Sequence, residues 1–574
     1  MNKIKTLTLA VAALSAASAG AFEFSAGPIE AQLNTSISYG IGMRTEDPDL
    51  GQIHPANANA LYGTSYATTG NTTTGSTYNY DDGTLNYEKN DIITNVLKGN
   101  MDLELVYGDG GAFFRGSAFY DSAIMDDDPA FQPFIDETKD AAGMGYDLLD
   151  AFVWYNFEMG DVPVSARLGR QVVSWGESTF IFGGINSINP LNASAIRKPG
   201  VEVKEVLLPV NMAYGSFGIT DNVTLEAFYQ LEWEKTRPDS CGTFFATTDF
   251  ATDGCNPVVL GGVTDEREIL DDYANGVGTQ PITPRLTPDN EPKDDGQFGL
   301  ALRYYSEALG DTEFGFYYMN IHSRLPYSSG IPAAALGGFP QLQFEYPEDI
   351  KLSGISFNRA TESGWSIGGE VSLKQDYPLQ WNSFELILGG TLNPMSLLLQ
   401  QEAGKLVAAG GATDTNDAIT KLAAAGETLP GYNRYDVWQA QMTFIKFFDQ
   451  VLGASRLSFV SEIGATFIPD LPGLDEARYG RSGAYGIGTV PDGNGGDLCE
   501  TDASGKNLNT DYCTNDGYVD DVAAGIRTKI SLDYPSAFFG VNLKPEFSLG
   551  YDHGTAPEPG GAFVDGRIKT GLAM

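Results

Sequence analysis

The feature that most constrains this sequence is a strict two-residue alternation of apolar and polar side chains, which recurs along the chain. Between positions 223 and 233 the odd residues are Val, Leu, Ala, Tyr, Leu and Trp, whereas the even residues are mostly Thr, Glu and Gln. The same alternation returns at 297–304, 366–374, 526–533 and 543–550. Successive side chains of a β-strand point to opposite faces, so each segment predicts a strand with one apolar and one polar face.

Alternation alone is also typical of a soluble β-sandwich, which buries its apolar face between two sheets. The lengths of the connections favour a barrel, whose strands of about 9–11 residues are joined alternately by short periplasmic turns and long outer loops. Short turns are present at 218–222 and 308–311, whereas about sixty residues separate Trp233 from Gln297. We therefore predict an all-β transmembrane antiparallel β-barrel of about sixteen strands.

The N-terminus has the pattern of an export signal. Lys3 and Lys5 precede an apolar stretch from Leu7 to Ala19, and small residues follow it. This pattern predicts a signal peptide over residues 1–21, cleaved after Ala21. The predicted barrel then occupies residues 22–574, and we expect it in the outer membrane of a Gram-negative bacterium, in contact with outer-membrane lipid.

The net charge of −40 disfavours a nucleic-acid partner, because such a partner carries the same sign of charge. The acidic residues are concentrated in Gly/Asn/Thr-rich segments, such as 126–128 and 492–521. Solvated loop surface is the main interpretation of these segments. The alternative is that divalent ions bridge them to anionic lipid headgroups.

The four cysteines form two pairs, Cys241 with Cys255 and Cys499 with Cys513, each inside a polar segment. Closing a loop of about 15 residues contributes roughly 3 kcal/mol in the chain-entropy model. We predict two local disulfides in outer loops, although four cysteines permit three connectivities. Zinc is disfavoured because the sequence has no Cys-x-x-Cys and no histidine near these cysteines.

Two segments break the alternation. Residues 395–428 are rich in Leu, Ala, Lys and Glu, so we predict one or two short helices in a long loop there. Residues 174–209, which we call the inward segment, are irregular, rich in Asn and poor in Asp for a long connection of this protein. Because this composition differs from the acidic loops, the inward segment is a candidate to fold into the lumen; packing on the rim is the alternative.

The inward segment and the strand before it also carry sequence motifs. Gly-Arg-Gln at 169–171 is followed by Trp-Gly-Glu at 175–177, Ile-Asn-Pro at 188–190 and Arg-Lys-Pro-Gly-Val-Glu at 197–202. These motifs resemble a large proteobacterial outer-membrane family catalogued as domain of unknown function thirteen-oh-two, over nearly the whole mature chain. The resemblance implies a β-barrel encoded beside a periplasmic lipid-binding protein and an inner-membrane transporter of the resistance-nodulation-division (RND) type. It thereby implies transport of hydrophobic or lipid-like molecules.

The C-terminus departs from the usual pattern of outer-membrane barrels, which end on a strand with a terminal aromatic residue. Here the sequence ends at Gly571-Leu572-Ala573-Met574, after an alternating stretch that begins at Val564. We expect that one or more closing strands are missing, since an unpaired strand edge in lipid is costly.

The sequence contains few features that are typical of a catalytic site. The three histidines, His54, His322 and His553, are far apart, and no Gly-x-Ser-x-Gly motif accompanies them. The sequence also has no phosphate-binding loop and no cluster of metal ligands at recognisable spacing. We expect neither an enzyme nor a cofactor or metal site.

Charged residues recur on the polar faces of the predicted strands and are candidates for the lumen lining. They are Arg170, Glu226, Glu232, Arg303, Glu370, Lys374, Glu462, Arg527, Lys529, Lys544, Glu546, Arg567 and Lys569. One interpretation is a set of cross-strand ion pairs that stiffen the wall. The other is a field or binding site along a pore.

In the inward segment the candidate gate residues are Trp175, Glu177, Asn189, Arg197 and Lys198. The three charged residues among them are expected to find partners among the wall charges. Three functions remain open: a transporter for hydrophobic or lipid-like molecules, a general porin for small hydrophilic solutes, and a structural or adhesive barrel that acts through its loops. The family context favours the first, and an apolar lateral opening or an apolar lumen pocket would distinguish it from the second.

Overall fold

The computed structural model describes residues 20–63, 78–127, 129–199, 201, 203–261, 264–332, 340–489 and 513–573. The strands of this part of the chain are β1 (Gly20–Ala26), β2 (Ile29–Met43), β3 (Ile92–Tyr107), β4 (Gly110–Asp121), β5 (Met144–Met159), β6 (Val162–Gln171), β7 (Val210–Thr220), β8 (Val223–Gln230), β9 (Val258–Val259), β10 (Ile282–Thr283), β11 (Phe298–Ser306), β12 (Thr312–Ile321), β13 (Tyr327–Ile331), β14 (Gln341–Glu345), β15 (Ile350–Ala360), β16 (Trp365–Gln380), β17 (Tyr432–Asp449), β18 (Arg456–Phe467), β19 (Val522–Phe538), β20 (Val541–Leu543), β21 (Glu546–His553) and β22 (Ile568–Ala573).

The helices are short and lie in the connections. They are α1 (Pro55–Tyr62), α2 (Asp82–Leu85), α3 (Ser122–Met125), α4 (Asp136–Thr138), α5 (Ala193–Arg197), α6 (Val203–Val206), α7 (Glu266–Ala274), α8 (Ser383–Gly390), α9 (Leu397–Ala408) and α10 (Thr415–Ala425). Among the described residues, no helix is both long and apolar enough to cross a membrane.

Eighteen of the described strands form one antiparallel sheet in which neighbours along the chain pair with each other. Two small hairpins, β9–β10 and β13–β14, stand outside it, so that β8 pairs with β11 and β12 pairs with β15. Strands β20 and β21 both pair with β19, and the sheet therefore has one position fewer than its eighteen strands. The predicted count of about sixteen is slightly low. Among the described residues, no pairing joins β22 to β1.

The connections alternate in length, as the sequence predicts. The turns at 27–28, 108–109, 160–161 and 221–222 have two residues each, whereas the connections 44–91, 172–209 and 231–297 on the opposite edge are long. An antiparallel meander places every second connection on the same edge. All the long connections therefore emerge from one end of the sheet.

The two faces of the sheet differ in the predicted way. On β11, Leu300 is 46% exposed and its neighbour Ala301 is fully buried. The exposed apolar positions continue across the paired strands, for example at Tyr318 on β12 and Ile355 on β15. An apolar face of this extent is unfavourable in water and suits the hydrocarbon of a bilayer.

The sheet curls, because long connections from distant strands meet. Tyr80, between β2 and β3, lies against Ser383, which follows β16, and Gly483, which follows β18. In a flat sheet with strands about 4.8 Å apart, β2 and β16 would be separated by about 48 Å. The concave side encloses a space that we call the lumen, and the long connections lie over one end of it.

Helices occur where the composition predicts them. α9 and α10 fall within residues 395–428, and α8 precedes them in the same connection. The Ser396 hydroxyl accepts from the backbone N–H of Leu399 at 3.2 Å, and the Asp414 carboxylate accepts from that of Asp417 at 2.9 Å. These side chains cap the first turns of α9 and α10.

The predicted disulfide between Cys241 and Cys255 is confirmed, and it lies in the long connection between β8 and β11. Cys499 lies outside the described residues, so the bridge to Cys513 stays a prediction. Residues 1–19 of the predicted signal peptide also lie outside them.

Candidate functional site: the inward segment

The inward segment leaves the wall after β6 and is closed on itself by one asparagine. The side-chain Oδ1 of Asn189 accepts from the backbone N–H of Val173 at 3.1 Å, and its Nδ2 donates to the carbonyl of Leu208 at 2.9 Å. Asn189 thereby joins the two ends of the segment beside the wall. Its Nδ2 also donates to the carbonyl of Gln171, at the end of β6, at 3.5 Å.

One side of the segment is apolar and packs on the concave face of the sheet. Trp175, which is 1% exposed, forms a buried cluster with Ile185, Ile188 and wall residues of β7, β8, β11, β12 and β15. Its ring centroid is 5.1 Å from that of Phe228 and 5.9 Å from that of Tyr317. Burial of these apolar side chains stabilises the packing of the segment on the wall.

The indole of Trp175 also has a polar partner. Its Nε1 donates to Glu226 Oε2 at 2.7 Å, while Arg303 Nε donates to Glu226 Oε1 at 2.8 Å. Because a buried indole N–H needs an acceptor, this bond fixes the ring in one orientation. Three predicted site residues, Trp175, Glu226 and Arg303, are therefore brought together.

Glu370 on β16 attaches the next part of the segment through main-chain donors. Its Oε2 accepts from the backbone N–H of Glu177 at 2.6 Å, and its Oε1 accepts from that of Ile185 at 2.9 Å. A Cβ at Gly176 or Gly184 would overlap the Glu370 carboxylate oxygens. Glycine at these two positions therefore allows the backbone to approach the carboxylate.

Glu462 on β18 makes a second attachment of the same kind. Its carboxylate, which is fully buried, accepts from the backbone N–H groups of Thr179 at 3.0 Å, Phe180 at 2.6 Å and Ile181 at 2.8 Å. Thr443 donates a further hydrogen bond to Glu462 Oε1 at 3.1 Å. Hydrogen bonds to a charged group are stronger than those between neutral groups, so Glu462 binds residues 179–181 firmly to β18.

The far end of the segment is attached to strands near the start of the chain. Lys98 on β3 pairs with Glu205 at 2.7 Å, and both side chains are buried. Lys204 pairs with Asp102, also on β3, at 3.2 Å. The segment is therefore attached to β3 at this end and to β16 and β18 through residues 177–185.

Glu177, Arg197 and Lys198 also find partners, but in the contacts below none of these partners is one of the wall charges named from the sequence. Glu177 accepts from Asn358 Nδ2 on β15 at 2.6 Å. Arg197 pairs with Asp239 of the β8–β11 connection at 3.4 Å, and Lys198 Nζ lies 3.1 Å from the ring centroid of Phe119. The contact of Glu177 is with a neutral amide, and α5, which ends at Arg197, places Arg197 and Lys198 toward the end of the lumen covered by the long connections, which we call the mouth.

Most of the other predicted lumen charges form pairs between neighbouring strands or their extensions. Arg303 bonds to Glu313 on β12 at 2.9 Å in addition to Glu226, which joins three strands. The other pairs are Arg170 with Glu232 at 3.0 Å and with Glu234 at 2.5 Å, Arg527 with Asp552 at 2.5 Å, Lys529 with Glu546 at 2.7 Å, Lys544 with Glu546 at 3.2 Å, and Arg567 with Asp552 at 2.7 Å. These contacts favour the interpretation of wall-stiffening ion pairs. Lys374 instead lies buried over the ring of Tyr377, 4.9 Å from its centroid.

Several polar residues at the site were not singled out from the sequence. Gln441 donates to Glu370 Oε1 at 2.7 Å, and Gln439 donates to the carbonyl of Phe182 at 3.0 Å. The sequence pattern of β17 could have identified Gln439 and Gln441 as inner-face residues, because they alternate with the outward-facing Trp438 and Ala440. Uncharged polar residues on the inner face of a strand are therefore candidate site residues in the same way as the charged ones.

A cavity of about 450 Å³ lies at the mouth, between the inward segment and three long connections. Its lining carries both signs of charge. The charged residues that line it are Glu137, Asp140, Asp147, Lys235, Arg237, Asp253, Arg285 and Asp289.

An antiparallel meander that is apolar outside and charged inside, with long connections at one end, defines the wall of a membrane β-barrel. The chain belongs to the family described as protein of unknown function (DUF1302), whose model matches residues 3–574. The resemblance noted from the motifs is thereby confirmed. No curated protein matches the sequence.

The chain also shows similarity to solved structures, among them two outer-membrane proteins. The outer membrane channel DcaP of Acinetobacter baumannii is 9% identical, with 97% of each chain covered and a TM-score of 0.34. OmpT of Vibrio cholerae is 8% identical, with 96% of this chain and 98% of that chain covered and a TM-score of 0.34. OprB of Pseudomonas putida is 8% identical, with 83% of this chain and 86% of that chain covered and a TM-score of 0.32.

Proposed function

We propose that this protein is a channel of the Gram-negative outer membrane and that the inward segment is its gate. The observation that carries the proposal is the attachment of residues 177–185 to the wall carboxylates Glu370 and Glu462. A segment that crosses the lumen narrows it. Attachment through a few hydrogen bonds allows the segment to be released without breaking the sheet.

The proposed solutes are small and polar. The charged lining of the mouth cavity supports this choice, since such a surface replaces part of the hydration of a polar solute. Transport of lipid-like molecules is the second candidate, with the periplasmic lipid-binding protein and the RND-type transporter as its implied partners. An apolar groove of about 840 Å³, bordered by Ile355, Val371 and Ile463, supports it. Strands β15 to β19 are continuously paired beside this groove, however, which argues against a lateral opening there.

Replacing residues 177–185 with a short Gly/Ser linker should raise the single-channel conductance in planar bilayers. The deletion removes both carboxylate attachments and the chain between them, while the sheet keeps its hydrogen bonds. Correct folding is checked by the heat-dependent mobility that intact barrels show in detergent gels. A folded deletion variant with unchanged conductance would contradict the gating role.

Liposome swelling assays then distinguish the two kinds of solute. Small charged and polar solutes should enter vesicles containing the deletion variant faster than vesicles containing the unaltered protein. If only extraction of a fluorescent lipid from the vesicles is accelerated, and solute entry is not, the lipid-like candidate is favoured.

A further inference from the structure

A group of buried carboxylates lies among the long connections, away from the inward segment. Asp81 and Asp82 precede β3, whereas Glu266 begins α7 in the β8–β11 connection. One oxygen of each lies within 4.8 Å of one oxygen of the others, and all three side chains are buried. Three carboxylates at such distances repel one another strongly unless a positive charge or shared protons lie between them.

A fourth buried carboxylate, that of Asp249, lies beside this group and lacks a hydrogen-bond partner on one oxygen. Asp249 is 3% exposed, and its Oδ2 accepts from the backbone N–H of Asp82 at 3.3 Å. Its Oδ1 is buried without a hydrogen-bond partner. An unsatisfied buried carboxylate oxygen costs free energy, so its presence beside three other carboxylates points to a missing electropositive ligand.

The surroundings supply neutral donors that orient the carboxylates. Asn57 Nδ2 donates to Glu266 Oε2 at 3.1 Å, while its Oδ1 accepts from the backbone N–H of Glu266 at 3.0 Å. Gln132 Nε2 donates to Glu266 Oε1 at 2.5 Å. Among the described residues, none of the four carboxylates forms an ion pair with Lys or Arg; Arg267, whose charge acts on Asp82 from a distance, pairs with Asp265 at 2.9 Å.

We propose that Asp81, Asp82 and Glu266, with the carboxylate of Asp249 beside them, bind a divalent cation of the calcium class, which holds two long connections together at the mouth. The donor set contains only oxygen, which calcium and magnesium prefer. The imidazole of His54 is committed to capping α1, where its Nδ1 accepts from the backbone N–H of Ala56 at 3.2 Å. Calcium is preferred over magnesium because it accepts several carboxylates in irregular geometry.

The location of the site gives the cation a structural role. Asp249 lies inside the loop closed by the Cys241–Cys255 disulfide, and the same connection supplies Asp239 to Arg197 of the inward segment. The cation would therefore connect the β2–β3 connection to the loop that borders the gate. This role is independent of whether the segment controls conductance.

The test is a calcium titration of the full chain in detergent micelles after treatment with a chelator. We expect one saturable site with a dissociation constant on the order of 10⁻⁴ M or tighter, and weaker binding of magnesium. Calcium should also slow cleavage of the long connections by an added protease at least tenfold. Asp249→Asn, which is nearly isosteric, should weaken calcium binding at least tenfold. Asp127→Asn, in the acidic run after β4, is the matched control and should leave it unchanged.

Absence of calcium binding by the unaltered protein up to about 10 mM, above the range of weak extracellular sites, would overturn the proposal. Tighter binding of magnesium than of calcium would overturn the choice of cation. Burial and the neighbouring charges of Asp82 and Asp81 raise the pKa of Asp249 well above its usual range, so shared protons are the rival explanation. In that case Asp249→Asn would protect the connections from protease without calcium, which would also overturn the proposal.

Discussion

Replacing Glu462 with glutamine should release the inward segment from β18. In the native protein Glu462 Oε2 accepts from the backbone N–H groups of Phe180 and Ile181, and Oε1 accepts from that of Thr179 and from Thr443. Glutamine retains one carbonyl oxygen and replaces the other with an NH₂ group. At least one backbone N–H then faces a donor in place of an acceptor.

The size of the effect follows from these bonds. A hydrogen bond to a charged group contributes about 1.5–3 kcal/mol, and the substitution removes at least one such bond while weakening the others. The neutral amide is less costly to bury than the carboxylate, which offsets part of the loss. We therefore expect a net cost of about 3 kcal/mol to the attached state. Since about 1.4 kcal/mol corresponds to a factor of ten, the equilibrium between attached and released segment should shift about 100-fold.

Single-channel recording measures this shift as the fraction of time in a higher-conductance state. Glu546→Gln is the matched control, because Glu546 is also a wall carboxylate but pairs with Lys529 and Lys544 on the wall. A second readout is labelling of a cysteine at position 178 by a membrane-impermeant maleimide, which should be faster in the Glu462→Gln background. If gating and labelling are both unchanged in folded Glu462→Gln, the carboxylate does not hold the segment and the reasoning fails.

Two further predictions concern neighbouring features. Gly184→Ala should open the channel in the same recordings, because its Cβ would overlap the Glu370 carboxylate. Gly404→Ala is the control and should have no effect, because the space around Gly404 is open. Equal behaviour of the two variants would contradict the steric argument. Cys241→Ser should destabilise its loop by roughly 3 kcal/mol and speed proteolysis between 241 and 255 without lowering barrel stability in heat-mobility gels; a loop that resists protease as before would show that the bridge contributes nothing there.

The wall could be predicted from the sequence because its pattern is local. Leu300, Leu302 and Arg303 were assigned to their faces from a two-residue period, and the structure places them accordingly. The same holds for the local disulfide, whose cysteines are 14 residues apart. The composition of 174–209 also distinguishes the segment that is attached to β3, β16 and β18 from the acidic connections.

The attachments of that segment could not be predicted. Glu370 and Glu462 were recognised as inner-face charges, but their partners are backbone N–H groups, which every non-proline residue has. Thr179 and Glu462 are 283 residues apart, and no residue type marks such a contact. The carboxylate group at the mouth was missed for the same reason, since Asp82 and Asp249 are 167 residues apart. Arg197 was assigned to the wrong partner because a short helix redirects it.

The two kinds of attachment determine which part of the inward segment is released most easily. Around Trp175 and Ile188 the segment is held by buried apolar area, and releasing it would expose that area to water at a cost that grows with the area. Between them, Glu177 to Phe180 are held mainly by the two carboxylates, and their release exposes polar backbone that water can satisfy. Ile181 and Ile185 are buried among apolar side chains of their own. Release of Glu177 to Phe180 is therefore the easier step, with Trp175, Ile181, Ile185 and Ile188 remaining packed. The open state of Glu462→Gln should accordingly conduct less than the linker variant that lacks residues 177–185, because the released chain still occupies part of the lumen.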